Sequence, residues 1–171
     1  MAFYLLVIGD REALGWILTE ARTAFPSASR AEVAALAKDD TLFLYTTRGC
    51  FKNPTRDRGR VIGTARVTSD VERLGVPIRF GDREFPVGCA LDIGPVVEFG
   101  NGVELQPLVE TLDAFGRTSH AWSIQLRRPM LRLSDSDASI LLERLAAVDP
   151  AETIDTYTRW WHESPRLVQP R

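Results

Sequence analysis

The chain has 171 residues, enough for one domain with a real core and too few for two ordinary ones. Hydrophobic residues at 44% and charged residues at 26% give the balance of a globular protein, which excludes a disordered or fibrous chain. A formal net charge of −2 excludes a general polyanion binder, so any nucleic-acid contact must use a local patch.

The apolar run from Ala2 to Ile8 is too short to span a bilayer and follows no basic segment, so it reads as a buried strand rather than an anchor or signal peptide. Asp10 then caps a helix whose Leu14, Ile17, Leu18 and Ala21 share one apolar face, weakened by Gly15 and ended by Phe25-Pro26-Ser27. Ser29 with Glu32 forms a capping-box pattern before Val33, Leu36 and Ala37, which predicts a second, shorter helix.

Asp39-Asp40 turns into Thr41–Thr46, apolar on both faces and therefore a central strand. Residues 47–59 are rich in turn formers. In the strand that follows, Arg60 to Thr68, the small residues Val61, Gly63, Ala65 and Val67 share a face and permit a close approach.

A variable stretch with a turn at Asp82-Arg83 precedes a long strand, Val87 to Phe99, interrupted at Gly94-Pro95 as if at a barrel corner. Val103 to Phe115 suits a short helix or an irregular packed segment. Ala121 to Arg128 alternates, with Trp122, Ile124 and Leu126 on one face, and reads as the last strand.

Ser134 and Asp137 open a helix with Ile140, Leu141, Leu145 and Val148 facing inward. Asp149-Pro150 reads as the start of a terminal helix reaching about Glu163, with Ile154, Tyr157 and Trp161 aligned. Strands with interspersed helices make the class α+β.

Chemistry for turnover is thin. His120, His162, Cys50 and Cys89 form no obvious ligand set, and no glycine run cradles a phosphate, so neither a metal nor a cofactor is expected. A lone pair of cysteines points to reduced thiols and a cytoplasmic protein.

Two features invite a binding role. Arg48, Lys52, Arg56, Arg58 and Arg60 surround a single acid, Asp57, with Phe51 between them, so the loop could grip phosphates while Phe51 stacks on a base; a solvated hairpin tip is the alternative. Phe25, Tyr45 and Trp122 sit where rings could flank a flat heterocycle, or serve as ordinary core. Tyr157, Trp160 and Trp161 could anchor a partner, including a second copy of the chain, or fold back onto their own domain.

Three stretches carry a resemblance: 44–49 running through Asn53-Pro54-Thr55 to 61–65, then Gly102 to Leu108, then Ala121-Trp122-Ser123 to Met130 followed by the capped helix. In this order they resemble the EVE domain, a member of the PUA-like superfamily related to the YTH readers of methylated adenosine. The likeness covers residues 1–148 and leaves 149–171 as a C-terminal helix and tail.

The resemblance implies a PUA-like β-pseudo-barrel with flanking helices that recognises, rather than turns over, a methylated or hydroxymethylated base flipped out of DNA or RNA. It places the pocket at Phe25, Ser27, Tyr45, Thr46, Thr47, Trp122 and Ser123, with Arg48, Lys52, Arg56, Arg58 and Arg60 on the backbone. Phe25-Pro26 stands where the family usually has Trp-Gly, and Asp39-Asp40 replaces its Gly-Asp turn. A binder of a free nucleobase-like molecule, or an interaction module using the C-terminal aromatic helix, is the alternative function.

Overall fold

The computed structural model describes residues 1–163, apart from the side chains of 117–119; the tail expected beyond the last helix lies outside the described residues. In chain order the elements are β1 (Phe3–Ile8), α1 (Arg11–Glu20), β2 (Arg22–Phe25), α2 (Ala31–Ala35), β3 (Thr41–Thr46), β4 (Arg60–Val67), β5 (Glu72–Phe80) and β6 (Arg83–Val96). They continue with β7 (Val103–Glu104), β8 (Met130–Leu133), α3 (Asp135–Ala146) and α4 (Asp155–His162).

The sheet runs β2-β6-β4-β3-β1-β8, with β5 on β6 and β7 on β4. Among the described residues only β1 and β3 pair in parallel, which requires a crossover, and α1, β2 and α2 supply it. β6 is the long strand expected from Val87 onward, starting earlier at Arg83. Its first half pairs with β5 and β2, its second with β4.

Within that second half Gly63 faces Val96 while Ala65 faces Ile93, so the pairing slips at Gly94-Pro95. A bulge bends and twists its strand, and here the sheet of this α+β fold curls into a half-barrel. Gly63 lies against the Pro95 carbonyl, which a Cβ would meet at 2.8 Å.

Alternation along the central strands builds two cores. Tyr4, Leu6, Ile8, Leu42 and Leu44 face α1 and α4 on one side. Leu5, Phe43 and Tyr45 face α3 and the packed segment carrying Leu105, Leu112 and Phe115 on the other. Each fully buried large side chain contributes roughly 1.5–3 kcal/mol. Cys50 and Cys89 are free thiols buried in the first core.

Several expectations are corrected. The common face proposed for β4 is split: Leu44 pairs with Gly63 but Tyr45 with Val61, so a bulge at Ile62 sends Val61 to the second core and Ala65 and Val67 to the first. Residues 116–127 form 3₁₀ turns rather than a strand, with Ile124 56% exposed, and the last strand is β8.

The strands β2 and β5 had no clear sequence signal. α2 is capped by neither Ser29 nor Glu32: its N-cap is Arg30, and the Ser29 N–H is donated to Ser27 Oγ. α4 starts at Asp155, because the Ala151 N–H is already given to the Val96 carbonyl and pins the chain outside the helix.

Other local chemistry agrees with the sequence. Asp10 Oδ1 accepts the N–H of Glu12 at 2.8 Å and caps α1. Ser134 and Asp137 form the full capping box of α3. The turn into β3 places Asp39 at φ 72°, a left-handed conformation that Asp tolerates.

Candidate nucleic-acid interface

The parallel strands β1 and β3 end side by side, Ile8 paired with Thr46. In open α/β sheets the carboxyl ends of neighbouring strands mark the usual crevice for a ligand. Here Gly9, Asp10 and Thr47 follow those ends, and the first turn of α1 closes the back of a cleft of about 350 Å³.

Its aromatic lining is a connected set. Trp16 of α1 meets Phe80 edge-on at 6.0 Å between ring centroids, and Phe80 meets Phe85 at 5.5 Å across the β5–β6 hairpin. Phe25, 0% exposed, and the wall segment Leu126 to Pro129 also line the cleft. Four arginines, Arg30, Arg83 and the adjacent pair Arg127 and Arg128, stand on three stretches of its lining.

Arg128 Nη1 is 2.8 Å from Glu32 Oε1, and the Arg83 guanidinium lies 5.2 Å from the Phe85 ring centroid. Among the described residues Arg30 and Arg127 form no ion pair. A planar guanidinium fork matches a phosphate better than any other side chain.

Asp10 is the acid of the cleft. Burial pushes its carboxyl above the ordinary range, and the neighbouring Glu12 carboxyl adds to the rise, while Glu12 is held low by its hydrogen bond with Asp10 and by Lys52. A half-buried carboxyl beside rings can accept from an amino or ring N–H of a heterocycle. Near its raised pKa it can also donate.

The sequence-derived pocket residues do not assemble here as a group. Phe25 and Thr47 line the cleft. Tyr45 lies in the second core with its hydroxyl against Gly59, and Trp122 packs edge-on to Phe115 at 6.0 Å in that same core. Both are on the far face of the sheet.

Thr46 is fully buried and donates its hydroxyl to the Arg60 carbonyl at 3.2 Å. Ser27 is bound to Ser29 at 2.7 Å, and Ser123 is exposed on the 3₁₀ segment.

The basic loop is partly neutralised by acids distant in sequence. Lys52 lies 3.4 Å from Glu12, and Arg60 lies 3.1 Å from Glu104 while also donating to the Gly102 carbonyl. Phe51 is not free to stack on a base, since its ring sits 4.4 Å from Phe99 and 6.1 Å from Tyr157. Arg48, Arg56 and Arg58 remain exposed, Arg48 next to the cleft residue Thr47.

The aromatic helix α4 folds back on its own chain. Tyr157 is 2% exposed and donates to the Val97 carbonyl at 2.7 Å, Trp161 packs against the first core, and Trp160 lies under the Arg11 guanidinium at 3.9 Å.

Trp16, Phe80, Phe85, Arg30, Arg83 and Asp10 carry no sequence signal that marks them as site residues. Their separation along the chain hides them, and only Arg127-Arg128 forms a visible local pair.

No family model and no curated protein matches the sequence. Solved structures do match in fold. The Mmi1 YTH domain aligns with a TM-score of 0.54 at 10% identity, over 86% of this chain and 96% of that one. The same domain in complex with RNA gives 0.52 at 10%, over 85% and 78%. Human THYN1, in complex with DNA containing 5-methylcytosine, gives 0.50 at 10%, over 88% and 100%. These likenesses establish the YTH- and THYN1-like, PUA-like fold.

Proposed function

We propose that this protein is a non-enzymatic, cytoplasmic reader of the EVE type, which takes a modified base flipped out of DNA or RNA into the cleft at the ends of β1 and β3. The observation that carries this reading is a ring-lined cleft with Asp10 at its polar end and Arg30, Arg83, Arg127 and Arg128 in its lining. Rings and one acid suit a heterocycle, and guanidinium groups suit the phosphates on either side of it. The fold is shared with a YTH domain solved with RNA and with THYN1 solved with methylated DNA, which supports the same reading.

The magnitudes are compatible. Extruding a base costs a few kcal/mol, least for a single strand, and each ring stacked on it returns roughly 1–3 kcal/mol. Two of the four cleft rings, with one hydrogen bond to Asp10, offset the extrusion. Phosphate contacts then add salt-sensitive affinity.

A free nucleobase would use the rings and Asp10 but leave the arginines idle, which favours a polymer as ligand. The test is fluorescence polarisation at fixed salt with short single- and double-stranded DNA and RNA carrying cytosine, 5-methylcytosine, 5-hydroxymethylcytosine or N6-methyladenine. Tighter binding of one modified oligonucleotide than of its unmodified twin supports the reading. Equal binding across the panel overturns it.

A further inference from the structure

α4 lies across the cleft's supporting elements and touches two of them. Its backbone comes so close to α1 that a Cβ on Gly15 would stand 2.9 Å from both the Tyr157 carbonyl oxygen and the Trp161 nitrogen. Tyr157 fixes the helix to the strand end at Val97, and Arg11 stacks on Trp160. The Gly15 contact and the Tyr157 bond leave little freedom for the next ring on the inner face, Trp161.

Trp161 meets Phe80 edge-on at 5.9 Å. Phe80 is also the ring that joins Trp16 to Phe85 in the cleft, and it closes β5 just before the two-residue turn Gly81-Asp82. Gly81 has φ 62°, and β5 pairs irregularly with β6 between Arg73 and Ile78, so the hairpin has weak backbone support along part of its length. Its tip stays paired from Ile78 to Phe80 against Phe85 to Arg83, and side-chain packing through Phe80, to Trp16 on one side and Trp161 on the other, sets this paired tip against the rest of the fold.

From this chain of rings we infer that Trp161 is a positioning residue for the cleft: it braces Phe80 from behind and sets the width of the slot between the β5–β6 hairpin and the Leu126–Pro129 wall. Trp161 does not line the cleft. It acts on a ligand only through Phe80, so α4 tunes shape selectivity without contacting the base. The ligand half of this inference rests on the proposed function; the mechanical half does not.

The test uses the full chain with Trp161→Ala, Trp161→Phe and, as control on the same helix, Trp160→Ala. Hydrogen–deuterium exchange reads the hairpin amides of residues 79–83, and fluorescence polarisation reads the preference for a modified oligonucleotide over its unmodified twin. Trp161→Ala is expected to speed exchange in the hairpin and to reduce the preference by about tenfold, the loss of one aromatic pair. Binding of the unmodified twin, set by the arginines, is expected to stay within about twofold.

Trp161→Phe restores both readouts and Trp160→Ala leaves both unchanged. Should Trp161→Ala prove unable to fold, Trp161→Leu removes the same ring contact while keeping apolar volume and is read in the same way. Unchanged hairpin exchange in the folded variant overturns the brace. If the wild-type protein prefers no modified oligonucleotide, the functional reading fails, while hairpin exchange still decides for or against the brace.

Discussion

The fully buried carboxylate of Asp137 accepts the backbone N–H of Asp113 at 2.6 Å. Its other oxygen accepts from Ala114 at 3.0 Å and from Ser134 at 3.3 Å, so one side chain both caps α3 and ties down the turn that leads to Phe115. Asp137→Ala removes the acceptor of these three part-buried donors, at up to roughly 1–3 kcal/mol each before water and relaxation replace it. A net loss of about 3 kcal/mol or more in urea unfolding is expected, and a loss no greater than that of a simple cap, about 1 kcal/mol, would contradict the clamp.

Gly15 gives a second stability prediction, with a sign opposite to helix propensity. On an exposed helix Gly→Ala stabilises by up to about 1 kcal/mol. At Gly15 the new methyl meets α4 backbone at 2.9 Å, so Gly15→Ala should lower the thermal midpoint, by an amount corresponding to about 1–3 kcal/mol of overpacking. A raised midpoint would show that α4 does not sit where the structure has it.

Much of this was legible in the sequence, and the failures have physical causes. α1 and α3 carry helical periodicity with matching N-caps and β3 is an unbroken apolar run, and each starts where it was expected, but α1 stops at Glu20, short of Phe25-Pro26-Ser27, because Ala21 turns left-handed at φ 50° and residues 22–25 pair as β2. Residues 121–128 alternate like a strand, but their neighbours on β1 are already taken by β8, and the segment coils into 3₁₀ turns. β5 presents Arg73, Gly75, Val76 and Arg79 to solvent and contains Pro77, the composition of an irregular edge strand, which shows little alternation.

The cleft was harder still, because it joins the ends of β1 and β3 to a hairpin and to a wall more than a hundred residues beyond β1. The local basic run from Arg48 to Arg60 is the stronger signal in the sequence. The acids that temper it, Glu12 and Glu104, come from other parts of the fold.

Alkaline pH should expose a different part of the design. Burial pushes the Tyr45 hydroxyl up from its ordinary value of 10.0 to about 12, so the folded state favours the neutral phenol. A group raised in the folded state stabilises fully below its unfolded pKa, and that stability is lost as pH climbs from about 10 to about 12. Unfolding free energy measured across that window should fall less steeply for Tyr45→Phe than for the wild type.

The buried thiols test the other core without titrating the fold. Burial raises Cys89 to about 12 and Cys50 further in the same direction. Neither should react with an aromatic disulfide reagent at pH 8 in the native state, since the thiolate is the nucleophile. Both should react within the mixing time of a guanidinium unfolding experiment, and rapid modification of the folded protein would contradict their burial.

The arginines of the cleft separate from those of the loop in salt dependence. Removing Arg30 or Arg127 should weaken oligonucleotide binding and reduce the slope of log K against log salt by about one for each phosphate the variant no longer holds. Arg60→Ala, which breaks the bonds to Glu104 and Gly102, should instead cost stability and leave the slope unchanged. Identical slopes for all three variants would move the grip on the nucleic-acid backbone elsewhere.

The central claim is that the modified base enters the cleft at the ends of β1 and β3 and not the aromatic cluster on the opposite face. The most direct measurement is the affinity ratio between a modified oligonucleotide and its unmodified twin for Phe85→Ala and Trp122→Ala, side by side with the wild type. Loss of the preference in Phe85→Ala alone, with Trp122→Ala discriminating as the wild type does, is the result predicted. Loss in Trp122→Ala with Phe85→Ala unaffected would place recognition on the other side of the sheet and contradict the account.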